Sequence, residues 1–161
     1  MFQHTVNDNP APAVEGDFAS ANPRSAVVAP EAGFVAGAAG VTVGQFAWVQ
    51  ADGVTVLNTD SGSGLVPDGF VHRDQQAIIT VFLAESSNLI PFGFPVTLMR
   101  TGDYFDKVTV APATRGLKAF ASIANGTMQP GVAAAVIPGY IETPFTIDRA
   151  AAVGELTAIT Y

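Results

Sequence analysis

Turn residues recur along this chain so closely that no segment sustains a helical period over three turns. Sixteen glycines and eleven prolines are spread through 161 residues, a raised share but below that of low-complexity chains. Proline breaks helix interiors and cannot donate to a central ladder, while glycine marks turns and bulges. Between these breaks lie short runs rich in Val, Ile, Thr and Phe, at roughly ten-residue spacing. The pattern predicts an all-β domain: a compact β-sandwich or β-barrel, jelly-roll or tulip-like in character. The best helical candidate, Val132-Ala133-Ala134-Ala135-Val136-Ile137, is confined by Pro130, Gly131 and Pro138. No internal repeat at a fixed period is visible.

Individual strands follow from the same logic. Residues 41–57 read as a hairpin: Val41-Thr42-Val43, then Phe46-Ala47-Trp48-Val49, the turn Asp52-Gly53, and Val54-Thr55-Val56-Leu57. The apolar phase switches across Gly44-Gln45, which predicts a bulge. Residues 58–64 are polar and glycine-rich, hence a loop. Residues 76–83 are β-branched and nearly continuously apolar, as in a strand covered on both faces. Residues 86–95 carry two prolines and Gly93 and read mostly as loop. Val96-Thr97-Leu98-Met99 is a strand, Thr101-Gly102-Asp103 a turn, and Tyr104-Phe105 the start of another strand. Residues 117–123 alternate toward Asn125-Gly126, a dipeptide of I′ hairpin turns. Residues 139–147 and 155–161 complete the set.

Residues 1–30 have a different character. Pro10, Pro12, Pro23 and Pro30 interrupt a polar, small-residue stretch with neither helical nor strand period. They predict an extended N-terminal arm ahead of a single all-β domain over 31–161. Val14, Phe18, Val27 and Val28 give the arm something to pack with, on its own domain or on a neighbour.

Charge and chemistry exclude several roles. Fourteen acidic residues against seven basic ones give a net charge of −7, and the basic residues are scattered singly. Phosphate neutralisation needs several Lys or Arg on one face, so neither direct nucleic-acid binding nor attraction to an anionic membrane is expected. Residues 32–51 are uncharged and contain the Gly33/Gly37 and Gly40/Gly44 spacings. Thr42, Gln45, Gln50 and the β-type alternation argue against a membrane helix there, and Asn125, Gln129, Pro130 and Pro138 break the uncharged stretch 119–141. The first residues lack a basic segment and an apolar run, so no secretory signal is expected. The absence of cysteine excludes disulfides and thiolate metal sites and fits synthesis in a reducing cytoplasm. His4 and His72 are too few for a zinc site, and no metal or other cofactor is expected. His72-Arg73-Asp74 copies a kinase tripeptide without the rest of that signature. Asp60-Ser61-Gly62-Ser63-Gly64 lacks both nucleophile-elbow and phosphate-loop spacing. Asn125-Gly126-Thr127 fits a glycosylation acceptor but is explained by the turn. The carboxyl pairs Glu15/Asp17 and Asp103/Asp106 are the remaining material for acid–base chemistry.

The stretch Ala11-Pro12-Ala13-Val14-Glu15-Gly16-Asp17-Phe18-Ala19-Ser20-Ala21-Asn22-Pro23-Arg24 resembles the N-terminal signature of phage structural cement proteins, the decoration proteins of tailed-phage heads. Further similarity follows in order: Gly33-Phe34-Val35-Ala36-Gly37, Val41-Thr42-Val43-Gly44-Gln45-Phe46-Ala47-Trp48, and Gly69-Phe70-Val71-His72-Arg73. Then come Ile90-Pro91, Pro95-Val96-Thr97-Leu98, Lys118-Ala119-Phe120-Ala121, Gly139-Tyr140-Ile141-Glu142-Thr143 and Gly154-Glu155-Leu156. The resemblance spans nearly the whole chain. It implies a non-enzymatic virion protein, made in the bacterial host cytoplasm, that binds the outer face of a shell built from a major capsid protein. It further implies a homodimer or homotrimer and no catalytic residues. In that setting the capsid-binding arm would use Val14, Glu15, Gly16, Asp17, Phe18, Asn22 and Arg24, with Val14 and Phe18 as apolar anchors and Asp17 and Arg24 as rim contacts. Two other roles compete: a carbohydrate- or host-surface-binding module using Trp48, Tyr104 or Tyr140, and a small hydrolase using a carboxyl pair.

Overall fold

A computed structural model describes residues 13–74 and 88–161, and every regular element within them is a strand. In chain order these are β1 (Ser25–Ala26), β2 (Val35–Ala36), β3 (Val41–Thr42), β4 (Phe46–Val49), β5 (Thr55–Leu57), β6 (Gly69–Val71) and β7 (Leu89–Ile90). After them come β8 (Leu98–Thr101), β9 (Asp103–Lys107), β10 (Lys118–Ser122), β11 (Met128–Gly131), β12 (Tyr140–Ile147) and β13 (Leu156–Thr160). The strand expected over residues 76–83 lies outside the described residues. No helix among the described residues is long and apolar enough to cross a membrane, which says nothing of strands.

A six-stranded sheet runs β1-β8-β6-β4-β5-β2, a five-stranded sheet runs β11-β10-β12-β13-β9, and β3 pairs with β7. The all-β class holds, as sandwiched sheets and not as a closed barrel. The six-stranded sheet curls until β2 meets the chain leading into β8. There Val96 N–H donates to Phe34 O at 2.9 Å and Ala36 N–H to Phe94 O at 2.9 Å.

Strand side chains alternate between faces, so a run apolar at every position needs cover on both sides. Phe46-Ala47-Trp48-Val49 is such a run. Phe46, Trp48, Phe70 and Met99 pack with Tyr104, Ala119, Ala121, Phe145, Ile147 and Ile159 in a core between the two large sheets. On the opposite face Ala47, Val71 and Leu98 pack with Phe34, Val41, Val43, Val56 and Ile90 in a second core, part of which the β3–β7 ladder supplies. The first core is aromatic: the Phe46 and Phe70 rings meet edge to face at 5.4 Å, and Phe46 and Phe145 at 5.6 Å.

Two local expectations need correction. The hairpin is β4–β5 alone, pairing Trp48 with Leu57 and Val49 with Val56, while Val41 and Thr42 pair with Ile90 and Leu89. Gly44 is therefore where the chain passes from one ladder to another, not a bulge within one strand. Tertiary partners decide that, and local alternation cannot distinguish the two. Second, the β10–β11 turn is not of type I′, because only Gly126 (φ +73°) and not Asn125 adopts positive φ. Gly126 N–H donates to Ser122 O at 2.8 Å, and Asn125 Oδ1 accepts from Thr127 N–H at 3.2 Å. A Cβ at Gly126 would run into the Phe46 carbonyl, so the glycine also permits the approach of β4.

Candidate interaction surface

β8 and β9 are consecutive, joined at Gly102, yet they belong to different sheets. The leading segment runs antiparallel along both. Gly16 N–H donates to Phe105 O at 2.8 Å, Phe105 N–H to Asp17 O at 2.9 Å, and Ala19 N–H to Asp103 O at 2.8 Å. Farther along, β1 pairs with β8, Ser25 opposite Thr101 and Ala26 opposite Met99, and Val27 N–H donates to Leu98 O at 2.9 Å. Residues 16–27 thus cap an edge strand of each sheet, satisfying backbone groups that would otherwise be left open.

Side chains fasten this ribbon. The Phe18 ring stacks on His72 with centroids 3.9 Å apart, and the Arg24 guanidinium lies 3.7 Å from the Phe18 ring centre. Tyr104 closes the socket, 5.6 Å from Phe18, with its hydroxyl donating to Thr101 O at 2.8 Å. Burial, with the Asp103 charge adding and Arg24 opposing, pushes the Tyr104 phenol up to about 12. Burial also holds His72 below its ordinary value, against the Gly16 carbonyl 2.9 Å from Nδ1 and the charges of Asp74 and Asp17, while Arg24 lowers it further. The imidazole is therefore neutral at pH 7.

Asp103 is the polar clamp. Its carboxylate accepts from Ser20 Oγ at 2.5 Å, from Asn22 Nδ2 at 2.6 Å, and from Thr160 Oγ1. Partial burial pushes its pKa up, but the three hydrogen bonds outweigh that and hold it below the usual carboxylate value. Gly16 fits where a Cβ would stand 2.5 Å from Val43 Cγ1, at φ +85°. Glu15 packs over Gly44 and accepts from Asn88 Nδ2 at 3.3 Å, and Asp17 stands 4.0 Å from Arg73 Nε.

Of the seven residues singled out in the arm, Gly16, Asp17, Phe18, Asn22 and Arg24 lie along the β9 edge and the Gly102 bend, Glu15 packs over Gly44 toward Asn88, and Val14 stands where the ribbon begins. Gly16 is buried, Glu15, Asp17 and Phe18 are half-buried against the body, and Val14, Asn22 and Arg24 are exposed.

The carboxyl pairs do not assemble as the sequence spacing suggested. Asp103 and Asp106 point to opposite faces of β9, as alternation requires at an odd spacing. Asp106 is instead close enough to Glu15 to feel its charge, a pairing that spacing alone does not reveal. Asp106 is 1 % exposed and its Oδ2 has no hydrogen-bond partner. Burial first, then the Glu15 charge, raises its pKa well above the ordinary value, against one backbone hydrogen bond from Lys107. Burial likewise raises Glu15, opposed by Lys107 and Asn88. With Asp106 enclosed and Glu15 half-buried, the pair presents no exposed nucleophile. Among the described residues no group of three or more His, Asp or Glu side chains is placed to hold a metal ion.

The other motifs serve the fold. Arg73 N–H donates to Gly16 O at 3.0 Å, so the kinase-like tripeptide anchors the leading segment. Asp60 closes its own loop through Ser63 Oγ at 2.6 Å and Gly64 N–H at 2.9 Å. Of the three aromatic platforms, Trp48 (3 % exposed) and Tyr104 (0 %) are core residues, and Tyr140 is half-buried. What sequence reading missed is an exposed apolar loop, Phe92-Gly93-Phe94 between Pro91 and Pro95. Its signal was two phenylalanines in a segment otherwise built as a turn.

A chain of the solved capsid of the myovirus phage XM1 has the same fold, with a TM-score of 0.68 at 14 % identity, covering 99 % of this chain and 96 % of that one. Among curated proteins none matches the chain. The family model of the XM1 gp53 minor capsid proteins matches residues 2–161. The resemblance to a phage head protein family drawn from the sequence is borne out at this level. Matched from its second residue to its last, the chain belongs to the XM1 gp53 minor capsid protein family.

Proposed function

We propose that this phage capsid structural protein is a decoration, or cement, protein that binds the outer surface of the major capsid protein shell as a homodimer or homotrimer and stabilises the head without catalysis. The family match across 2–161 is the observation that carries this reading. The geometry supports it. The motifs that offered chemistry are used internally, and the leading segment is fixed as a rigid ribbon across two sheet edges. Rigidity lets a surface protein bind without losing much conformational entropy on contact. Glu15, Gly16, Asp17 and Phe18 fasten the ribbon together with the side chains of Asn22 and Arg24, and Val14 with the solvent-exposed parts of Asn22 and Arg24 is the proposed capsid contact. Many copies on one shell then act through multivalency, so each contact need only be weak. A net charge of −7 suits an outer surface that does not hold DNA.

The test uses heads that lack the protein. Added purified chain should cosediment saturably with them and raise the temperature at which they release DNA. Val14→Asp, at a 44 % exposed position, should weaken binding about tenfold, a ~1.4 kcal/mol effect, while the chain stays folded. Failure to bind such shells, absence from purified virions, or conversion of a substrate would overturn the proposal.

A further inference from the structure

We propose that two copies of this chain associate across a two-fold axis through the face formed by β1, residues 27–34 and the loop 91–95, with Phe92 of each copy seated in an apolar groove of the other. This deepens the self-association in the function proposed above and rests on that part of it alone.

Backbone hydrogen bonds assemble the face: Val27 N–H to Leu98 O at 2.9 Å, Val96 N–H to Phe34 O at 2.9 Å, and Ala36 N–H to Phe94 O at 2.9 Å. Between these pairings lies a groove of about 210 Å³, lined by Val27, Ala29, Gly33, Phe34, Pro95 and Val96 among others. On the two segments that line it, Val28 (89 % exposed) is a chain neighbour of Val27 and Ala29, Phe94 (44 %) of Pro95, and Phe92 (70 %) stands two residues before Phe94. Apolar side chains that far from cover, on segments that share one groove, mark an interaction site.

The occupant follows from charge and shape. The segments 25–30, 32–51 and 88–99 contain no Asp, Glu, Lys or Arg, and Glu31 is the one charge between the first two. Two molecules that each carry −7 repel at long range, and they meet at least cost where the touching surfaces add no like charges of their own, so this face suits a second copy. A basic partner would instead be met by acidic side chains. A knob and a hole on one patch are also what an isologous contact needs, since each copy must offer both halves. β1 forms the outer edge of its sheet, and antiparallel pairing of two identical edges is itself two-fold. Pro91 and Pro95 bracket the knob, and Gly93 N–H donates to Ala36 O at 2.9 Å, so little freedom remains to be lost on docking.

Three forms of the full chain test this by sedimentation velocity at about 100 µM, where a Kd of about 10 µM leaves mostly dimer. The unaltered chain should be a dimer. Phe92→Asp should weaken association about 30-fold or more, with circular dichroism and melting temperature unchanged because the residue is largely exposed. Val110→Asp, at an exposed valine elsewhere (51 %), should remain a dimer. Because the chain has no cysteine, Ala26→Cys adds a single thiol, which should form a disulfide-linked dimer under mild oxidation. A monomeric or trimeric unaltered chain, or a folded Phe92→Asp chain that is still dimeric, would overturn the inference. Head binding is scored separately: a dimer that ignores heads refutes the decoration role and supports this face, whereas a monomer that binds heads does the reverse.

Discussion

Asp106 shows how one residue can oppose the fold that contains it. Its raised pKa means that the folded chain holds the proton more tightly than the unfolded chain, where the carboxyl titrates near 3.8. Folding stability therefore declines as pH rises from that value toward the folded pKa. Asp106→Asn removes the ionisation and should raise stability at pH 7 by about 1–3 kcal/mol, the range for an unsatisfied buried polar group. Urea unfolding between pH 4 and pH 8 checks this: the two curves should converge in acid and separate toward neutrality. A variant no more stable than the parent at pH 7 would show that the carboxyl finds a partner. Glu15 titrates in the same sense, so the slope should shrink without vanishing. Phe18 acts in the opposite direction. Phe18→Ala forfeits the stack on His72, the contact with Arg24 and packing against Tyr104, and should lower stability by about 2–4 kcal/mol. Limited proteolysis should then cut first within residues 19–26, which only the ribbon pairing protects.

At the scale of elements, the ribbon 16–27 behaves as an extra strand shared by two sheets. An arm that merely reached for a neighbour would be dispensable for folding. This one covers the β9 edge and the socket around His72 and Tyr104, so deleting residues 1–24 exposes unpaired backbone and aromatic surface together. Thermal unfolding with light scattering should show the truncated chain melting lower and aggregating, while a Val14→Asp chain does neither. Loss of head binding after truncation would therefore not by itself locate the contact, which is why the point substitution is the cleaner probe.

At the scale of the whole molecule, uneven charge decides behaviour. The segments that build the proposed face carry one charged residue, Glu31, in a chain of net charge −7 whose pI is about 4.5. Self-association through that face works against long-range repulsion between two −7 bodies. Raising ionic strength from 0.01 M to 0.15 M shortens the screening length from about 30 Å to about 8 Å. Dimerisation should accordingly strengthen severalfold over that range, and again as pH falls toward 5. Equilibrium ultracentrifugation across a salt series measures this. A dimer that salt weakens would mean that opposite charges, not apolar contact, hold it together.

Much of this was legible in the sequence. Proline and glycine spacing excludes helices by steric and hydrogen-bond rules that act within a few residues, so the all-β class needed no tertiary information. The turn at Asp52-Gly53 and the apolar run at 46–49 were equally local, whereas the strand expected over 96–99 is formed two residues later, at Leu98–Thr101. Tertiary structure decided what depends on residues distant in sequence: that Val41 and Phe46 serve different ladders, that Asp106 meets Glu15 instead of Asp103, and that the leading segment lies along β8 and β9. It also decided that Phe92 is exposed while Trp48 is buried. Those outcomes turn on which surfaces meet, and the meeting is set by burial and charge summed over the whole chain, which no short window of residues contains.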